Sequence, residues 1–148
     1  MSALRRASGV DLDAVVALQH AAYAKNRPLL GVEPLPLLAD YNQVFAEYEI
    51  WLAESAGGLD GVLILEPRAE DLLIWSIAVA PTAQGRGVGN VMIAFAEARA
   101  RELGRNCIRL YTGQPLTANI AWYNRQGYVH ESTEDMGDRV VVNLIKHL

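Results

Sequence analysis

The chain has 148 residues, of which 51% are hydrophobic and 20% charged, and these ordinary globular values exclude a disordered or fibrous protein. The net charge of −4 argues against a nucleic-acid-binding surface and slightly favours cationic small substrates. No stretch approaches the roughly 18 apolar residues of a membrane span, and the N-terminus lacks an apolar signal core. We therefore expect one cytoplasmic domain, residues 1–148, that binds neither nucleic acid nor membranes; a single cysteine, Cys107, agrees with a reducing compartment.

Two helices separated by a proline-rich segment are predicted in the first third of the chain. Residues 3–7 fit a short strand, and Asp11 opens an amphipathic helix. Residues 25–38, called the flap below, contain three prolines and therefore cannot form a long helix. The flap is either a surface segment packed on the core or a wall of a substrate pocket, and its exposed apolar side chains permit a homodimer. Residues 40–47 predict the second helix. The inner face of the first helix consists of Leu12, Val15, Leu18 and Ala22.

Three strands follow. Residues 50–54 and 62–65 predict a hairpin around a turn at residues 56–60. Residues 72–79 form an apolar run rich in β-branched and aromatic side chains, which is typical of a buried strand. Pro81 ends this strand because proline has no N–H group to donate.

A glycine-rich loop, Gln84-Gly85-Arg86-Gly87-Val88-Gly89, connects the last of these strands to a helix. Glycines bring backbone amides close to a ligand, and the free amides and dipole of a helix N-terminus attract an anion such as phosphate or pyrophosphate. Arg86 and Asn90 could add side-chain donors. The loop is not a Walker loop, because no Lys-Ser or Lys-Thr follows Gly87, and its glycine spacing does not match the dinucleotide fingerprint.

The helix after the loop has its apolar side chains on one face. On the other face Glu97 and Arg101 are expected to pair, and Gly104 is the predicted end of the helix. The remaining elements are a strand at 107–112, a short helix capped by Thr117 and ended by Gly127, and a hairpin of residues 128–133 and 139–146. The order β-α-α-β-β-β-α-β-α-β-β predicts an α/β sandwich with a mixed sheet.

Two motifs resemble those of the GNAT family of N-acetyltransferases. The loop is similar to the signature Q/R-x-x-G-x-G/A, with Gln84, Gly87 and Gly89 in register, and residues 77–79 before it resemble the end of that family's fourth strand. Residues 119–128, NIAWYNRQGY, resemble its second motif, and the element order agrees from end to end. The resemblance implies an α/β (α+β), three-layer sandwich with a mixed, mostly antiparallel seven-stranded sheet that is splayed between strands 4 and 5. It also implies acetyl-CoA as acetyl donor and no metal.

The resemblance also assigns roles to residues. Residues 85–90 would bind the coenzyme A pyrophosphate, and the backbone of residues 77–79 would pair with the pantetheine arm and polarise the thioester carbonyl. Tyr123 would be the catalytic acid that protonates the departing thiolate. Asn119, one helical turn earlier, could hold the pantetheine arm, although many relatives carry an asparagine where Leu116 stands. The predicted cofactor-binding residues are Ile77, Ala78, Val79, Gln84, Gly85, Arg86, Gly87, Val88, Gly89, Asn90, Asn119 and Tyr123.

The general base is left open by the sequence. Some relatives place a glutamate on the fourth strand and others on the fifth, but this chain has residues 72–75 and Tyr111 there, with no carboxylate. Candidates are Glu33, Glu54, Asp71, Tyr111 or a water molecule.

The expected function is acetyl transfer from acetyl-CoA to a primary amine of an unidentified small molecule or peptide, by direct attack in a ternary complex. A non-catalytic acyl-CoA-binding or regulatory domain is the alternative, because strands 4 and 5 lack carboxylates even though Tyr123 is present. A phosphate-binding module unrelated to acetyl transfer is a third interpretation. No metal site is indicated, because the three histidines are scattered along the chain at His20, His130 and His147.

Overall fold

A mixed seven-stranded sheet is the central layer of the computed structural model, which describes residues 4–148. The strand order is β1-β2-β3-β4-β5-β7-β6, and every neighbouring pair is antiparallel except β4 and β5. The strands are β1 (Arg5–Arg6), β2 (Glu49–Ser55), β3 (Gly58–Pro67), β4 (Leu72–Val79), β5 (Cys107–Gly113), β6 (Val129–Asp135) and β7 (Val140–His147). The helices are α1 (Leu12–Tyr23), α2 (Arg27–Leu30), α3 (Leu35–Leu38), α4 (Tyr41–Glu47), α5 (Val88–Glu102) and α6 (Thr117–Arg125). Within residues 4–148 no helix is both long and apolar enough to cross a membrane.

Helices cover both faces of the sheet, so that the fold has three layers. Successive residues of β3 alternate between the two faces: Leu63 and Leu65 lie in the core under α5, whereas Val62 and Ile64 lie in the core under α1 and α4. All four side chains are fully buried. A central strand covered on both faces needs such a continuous apolar run. The predicted three-layer α/β sandwich with a mixed, mostly antiparallel sheet is therefore confirmed.

A β-bulge interrupts β4 at Trp75. The register between β3 and β4 shifts after Ile64, so that Trp75 has no partner on β3. A one-residue shift changes the face to which the following side chains point. As a result Ile74 and Ile77, three residues apart, both contact the core under α5.

β4 and β5 diverge just where the bulge occurs. Their parallel pairing runs only from Leu72 opposite Ile108 to Ile74 opposite Leu110. Beyond this point β4 pairs only with β3, and β5 pairs only with β7. The predicted splay between strands 4 and 5 is confirmed, and it leaves a gap in the middle of the sheet.

The structure corrects two local predictions. The turn between β2 and β3 contains only Ala56-Gly57, since Gly58 and the residues after it already pair with β2; two-residue loops are the commonest hairpin connections. Thr117 is the first residue of α6 rather than its cap, and no side chain caps this helix at the preceding Leu116. Of the predicted first strand, Ala3 lies outside the described residues.

The predicted ion pair between Glu97 and Arg101 does not form. Glu97 instead accepts hydrogen bonds from Lys146 Nζ on β7 at 3.0 Å and from the Tyr128 hydroxyl at 3.1 Å. Lys146 Nζ also donates to the backbone oxygen of Gln126, just after α6, at 2.9 Å. A partly buried partner competes well with an exposed i,i+4 pair, which contributes only about 0.3–0.5 kcal/mol. These bonds join α5, the end of α6 and β7.

Asp71 holds the start of β4 next to β5. Its carboxylate, 5% exposed, accepts two hydrogen bonds from Arg68 at 2.7 and 2.6 Å and one from Arg109 at 2.8 Å. Arg109 also binds Glu131 on β6 at 2.8 and 3.0 Å. The Arg68 guanidinium, assisted by Arg109, holds the pKa of the Asp71 carboxyl below its usual range.

We expect Asp71→Asn to lower the free energy of unfolding by about 1–3 kcal/mol near neutral pH, because an amide cannot bind two guanidinium groups as a carboxylate does. The pKa of Asp71 is lowered in the folded state. Its contribution is therefore present above the unfolded pKa of about 3.9 and is lost as the pH falls from there through the folded pKa. Urea unfolding near pH 7 and in acid measures this, with Glu134→Gln on exposed β6 as control. If the difference in unfolding free energy between Asp71→Asn and wild type does not shrink in acid, the Asp71 carboxylate does not stabilise the fold as described.

Candidate active site

Two cavities meet where β4 and β5 diverge. The first, called the strand-gap cavity, has a volume of about 120 Å³ and lies between the diverging strands, the flap and the start of β7. The second, called the loop cavity, has a volume of about 550 Å³ and extends along the end of β4, the glycine loop and the start of α5. Five residues line both cavities, namely Tyr23, Asn26, Ile77, Asn119 and Tyr123.

The glycine loop forms one wall of the loop cavity. Gly85 and Gly87 have φ angles of 81° and 78°, a left-handed conformation that side chains disfavour. Since α5 begins directly after Gly87, the amides of its first turn have no acceptor within the helix. A Cβ on Gly89 would lie 3.2 Å from the Trp122 ring, so this glycine lets α6 pack against the start of α5. The predicted cofactor-binding residues that line the loop cavity are Ile77, Ala78, Val79, Gln84, Gly85, Gly87, Val88, Gly89, Asn90, Asn119 and Tyr123.

Arg86 is the one predicted binding residue that does not line the loop cavity. Its guanidinium is exposed and donates to the backbone oxygen of Thr82 at 3.1 Å. Among the described residues the charged side chain that lines this cavity is instead Lys25, in the short turn after α1. Sequence reasoning missed Lys25, because a single lysine at the start of a proline-rich segment belongs to no motif. Asn90 accepts a hydrogen bond from Gln126 at 3.1 Å, which connects the start of α5 to the end of α6.

Tyr123 stands at the junction of the two cavities. It lies on α6, is 8% exposed, and contacts the rings of Trp122 and Tyr128 at centroid distances of 5.0 and 6.3 Å. Within residues 4–148 its hydroxyl makes no hydrogen bond with another side chain or backbone group. Burial raises the pKa of the Tyr123 phenol, so that it stays protonated and can donate a hydrogen bond into the junction.

A buried polar network contacts β4 near the junction, on the face of the sheet that α1 covers. Gln19 Nε2 donates to the Tyr41 hydroxyl at 3.0 Å and to Ser76 Oγ at 2.9 Å. The Tyr23 hydroxyl lies 2.8 Å from Ser76 Oγ and donates to the Ile77 oxygen at 3.4 Å. Burial raises the pKa of Tyr23 to about 12. Sequence reasoning missed Tyr23, although Gln19, a polar residue on the inner face of α1 four positions earlier, is a signal of such a network.

The three carboxylates considered as general bases are not at the junction. Each is held by arginine, and that contact keeps its pKa below the usual range. The pairs are Glu33 with Arg27, Glu54 with Arg5, and Asp71 with Arg68 and Arg109. No aspartate or glutamate of the described chain lines either cavity. Of the sequence candidates only Tyr111 lines the strand-gap cavity, and burial raises its pKa to about 12. Among residues 4–148 no group of three or more histidine, cysteine or acidic side chains could hold a metal ion.

Asn26 and Arg139 are two further residues at the cavities that the sequence did not single out, although Asn26 lies in the flap that was considered as a wall of a substrate pocket. Asn26, 6% exposed, lines both cavities, and Arg139 lines the strand-gap cavity. They come from the flap and from the turn before β7, segments that meet only through the folding of the sheet. No spacing in the sequence connects them.

The comparison with known families identifies this fold as that of an acyl-group-transfer domain. The model of the acetyltransferase (GNAT) domain matches residues 46–130, more than half of the chain. The protein belongs to this family.

Individual relatives are more distant. The fold is similar to that of the ribosomal-protein-S18-alanine N-acetyltransferase from Escherichia coli, with a TM-score of 0.80 and 16% identity over 99% of this chain and 94% of that one. It is also similar to a GNAT family acetyltransferase from Elizabethkingia anophelis with acetyl-CoA bound, with a TM-score of 0.76 and 18% identity over 98% and 97% of the two chains. A mycothiol acetyltransferase of Cellulomonas flavigena is 33% identical over 63 residues, which are 43% of this chain and only 18% of that relative.

The tyrosines give a direct test of burial around the site. Burial raises the pKa of all six, to about 12 for Tyr23, Tyr41 and Tyr111. A raised folded-state pKa contributes stability below the unfolded value of about 10, which is lost as the pH rises above it. We expect an absorbance titration at 295 nm to find far less than half of the phenols ionised near pH 10, and unfolding at higher pH. Titration of all six phenols near pH 10 in the folded protein would contradict this.

Proposed function

We propose that the protein is an acetyl-CoA-dependent N-acetyltransferase that acetylates a primary amine of a small molecule or peptide by direct attack in a ternary complex. The observation that carries the proposal is the junction at Tyr123, where the loop cavity and the strand-gap cavity share a wall. A donor in the first and an acceptor in the second would meet there, which lowers the entropic part of the barrier. The products are the N-acetylated amine and the free thiol.

The residues of the loop cavity fit coenzyme A. The free amides at the start of α5 and the left-handed Gly85 and Gly87 form a concave anion site for the pyrophosphate, and Lys25 adds a positive charge. Beyond Ile74, β4 pairs only on its β3 side. The backbone groups on its open side can pair with the pantetheine arm as a further strand would. When bound, acetyl-CoA supplies an activated acetyl group.

At the junction, Tyr123 is proposed to hold a proton for the departing sulfur. Its phenol is protonated because burial raises its pKa, and its hydroxyl has no competing partner in the described chain. Tyr23 keeps the oxygen of Ile77 fixed through the network of Ser76 and Gln19, which holds β4 in its divergent position. Since the described lining of the two cavities contains no carboxylate, we propose that the amine gives its proton to water.

A non-catalytic acyl-CoA-binding domain is the second candidate. The observation that favours it is the same absence of aspartate and glutamate from the described lining of both cavities. Isothermal titration with acetyl-CoA, together with a thiol-release assay over a panel of amines, separates the two candidates. Binding with amine-dependent release supports the enzyme. Binding without release for every amine supports the second candidate, and no binding overturns both.

We expect Tyr123→Phe to lower kcat at least about 100-fold, because general acid catalysis contributes on that scale. The dissociation constant for acetyl-CoA should change less than about twofold, since phenylalanine keeps the ring packing. Tyr48→Phe is the matched control, because Tyr48 contacts Trp75 but lines neither cavity. A Tyr123→Phe protein with normal kcat would show that the proton comes from another group.

Lys25→Gln should raise the dissociation constant for acetyl-CoA about twofold to fivefold, with the difference shrinking as salt is added, because an exposed lysine–phosphate contact is weak and screened. Arg86→Gln, which removes a guanidinium outside the lining, should have the smaller effect. Titration calorimetry at two salt concentrations measures both. A larger loss in Arg86→Gln would assign the phosphate contact to Arg86.

A further inference from the structure

Among residues 4–148, one charged side chain lines the strand-gap cavity. Arg139, directly before β7, lines this cavity and is 9% exposed. No acidic side chain in the described lining compensates it from within the cavity. A mostly buried guanidinium attracts an anion and repels a second cation.

Arg139 is fixed in position yet retains donors for a ligand. Its Nη1 donates to the backbone oxygen of Glu33 in the flap at 2.7 Å. Its Nε and Nη2 donate to the Asp138 carboxylate at 3.2 and 3.0 Å. Arginine has five N–H groups, so two remain without a partner in the described part of the chain. The Asp138 side chain is 60% exposed and shared with solvent, which weakens its hold on the guanidinium charge.

The rest of this cavity is mainly apolar. Its apolar lining includes Leu30 and Leu35 of the flap, Trp75 of β4 and Leu110 of β5. Apart from Arg139, the polar residues of the described lining are uncharged and include Tyr111 and Tyr123. An occupant therefore meets one cationic position, an apolar wall and, at the junction, a protonated phenol.

We propose that the acetyl acceptor is a small amine that also carries a carboxylate and an apolar group, as an apolar amino acid does, and that Arg139 binds the carboxylate. This inference rests on the proposed function and names its substrate class. When the substrate carboxylate is bound to Arg139, the apolar group packs against the wall of the cavity and the amine lies at the junction. Amines without an anionic group, polyamines included, meet the Arg139 guanidinium but no acidic side chain of the described lining, since the Asp138 carboxylate that pairs with Arg139 lies outside it. The local charge of the cavity thus opposes the cationic substrates that the net charge of −4 favoured.

Matched acceptors test the inference in the wild-type protein. The probes are leucine, leucinamide and isoamylamine, and likewise phenylalanine, phenylalaninamide and phenethylamine, each titrated into the protein saturated with coenzyme A. Binding is followed by fluorescence, since Trp75 lines the cavity, and acetylation by thiol release. We expect each carboxylate to bind at least about tenfold more tightly than its amide and its decarboxylated amine, the scale of a buried charge-assisted hydrogen bond. If neither carboxylate binds more tightly than its partners, or if none of the six binds, the proposal is overturned.

Arg139 variants assign the preference to one side chain. Arg139→Gln should lose about tenfold or more in affinity for leucine and less than about twofold for leucinamide, and Arg139→Lys should restore part of the loss. Arg101→Gln, on the exposed face of α5, is the matched control and should behave as wild type. Thermal unfolding verifies that each variant is folded. If Arg139→Gln does not fold, the affinities of Arg139→Lys and of wild type for the same acceptors test the role of Arg139. A carboxylate preference that survives in Arg139→Gln would overturn the role of Arg139.

Acetyl-CoA binding separates this inference from the proposed function. Arg139 does not line the loop cavity, so its variants should bind acetyl-CoA as wild type does. Absence of acetyl-CoA binding in wild type contradicts the proposed function itself. Normal binding with preferred acetylation of isoamylamine or phenethylamine contradicts only the carboxylate assignment.

Discussion

The divergence of β4 from β5 is the constraint on which the site depends. A sheet normally pairs every backbone group of its central strands, and an unpaired buried group is costly. Here the bulge at Trp75 changes the direction of β4 after three paired residues. The open edges are tolerated because they line cavities rather than the core. The divergence removes hydrogen bonds from the sheet. It also supplies an open backbone edge for the proposed coenzyme and a gap for the proposed acceptor.

The polar groups behind β4 stabilise this arrangement. Gln19, Ser76 and Tyr23 are buried or partly buried between α1 and the strand, in a layer that is otherwise apolar. A hydrogen-bonded network of this kind specifies one position of the strand, since any shift leaves buried donors unpaired. Gln19 Oε1 already lacks a partner in the described chain. The network therefore favours precise placement of Ile77 over maximum stability.

Local patterns predicted the elements well, and long-range contacts less well. The apolar run of β4 and the glycine loop before α5 are continuous in sequence, and both were located at their observed positions. The hairpin turn and the partner of Glu97 were mispredicted, because each depends on residues of another strand. The candidate site divides in the same way. The loop was recognised from its motif, whereas Lys25 and Asn26, neighbours in sequence, and the distant Arg139 reach the cavities only through the tertiary structure.

Arg139 and Lys146, at opposite ends of β7, attach the two sides of the site to this strand. Lys146 holds Glu97 of α5 and the backbone after α6, and Gln126 holds Asn90. These hydrogen bonds attach the α5–α6 side of the loop cavity to β7. The flap on the other side is attached through fewer points, among them the Glu33 oxygen that accepts from Arg139. Because Arg139 joins the flap to the start of β7, a variant of Arg139 changes an attachment of the flap as well as the charge of the strand-gap cavity.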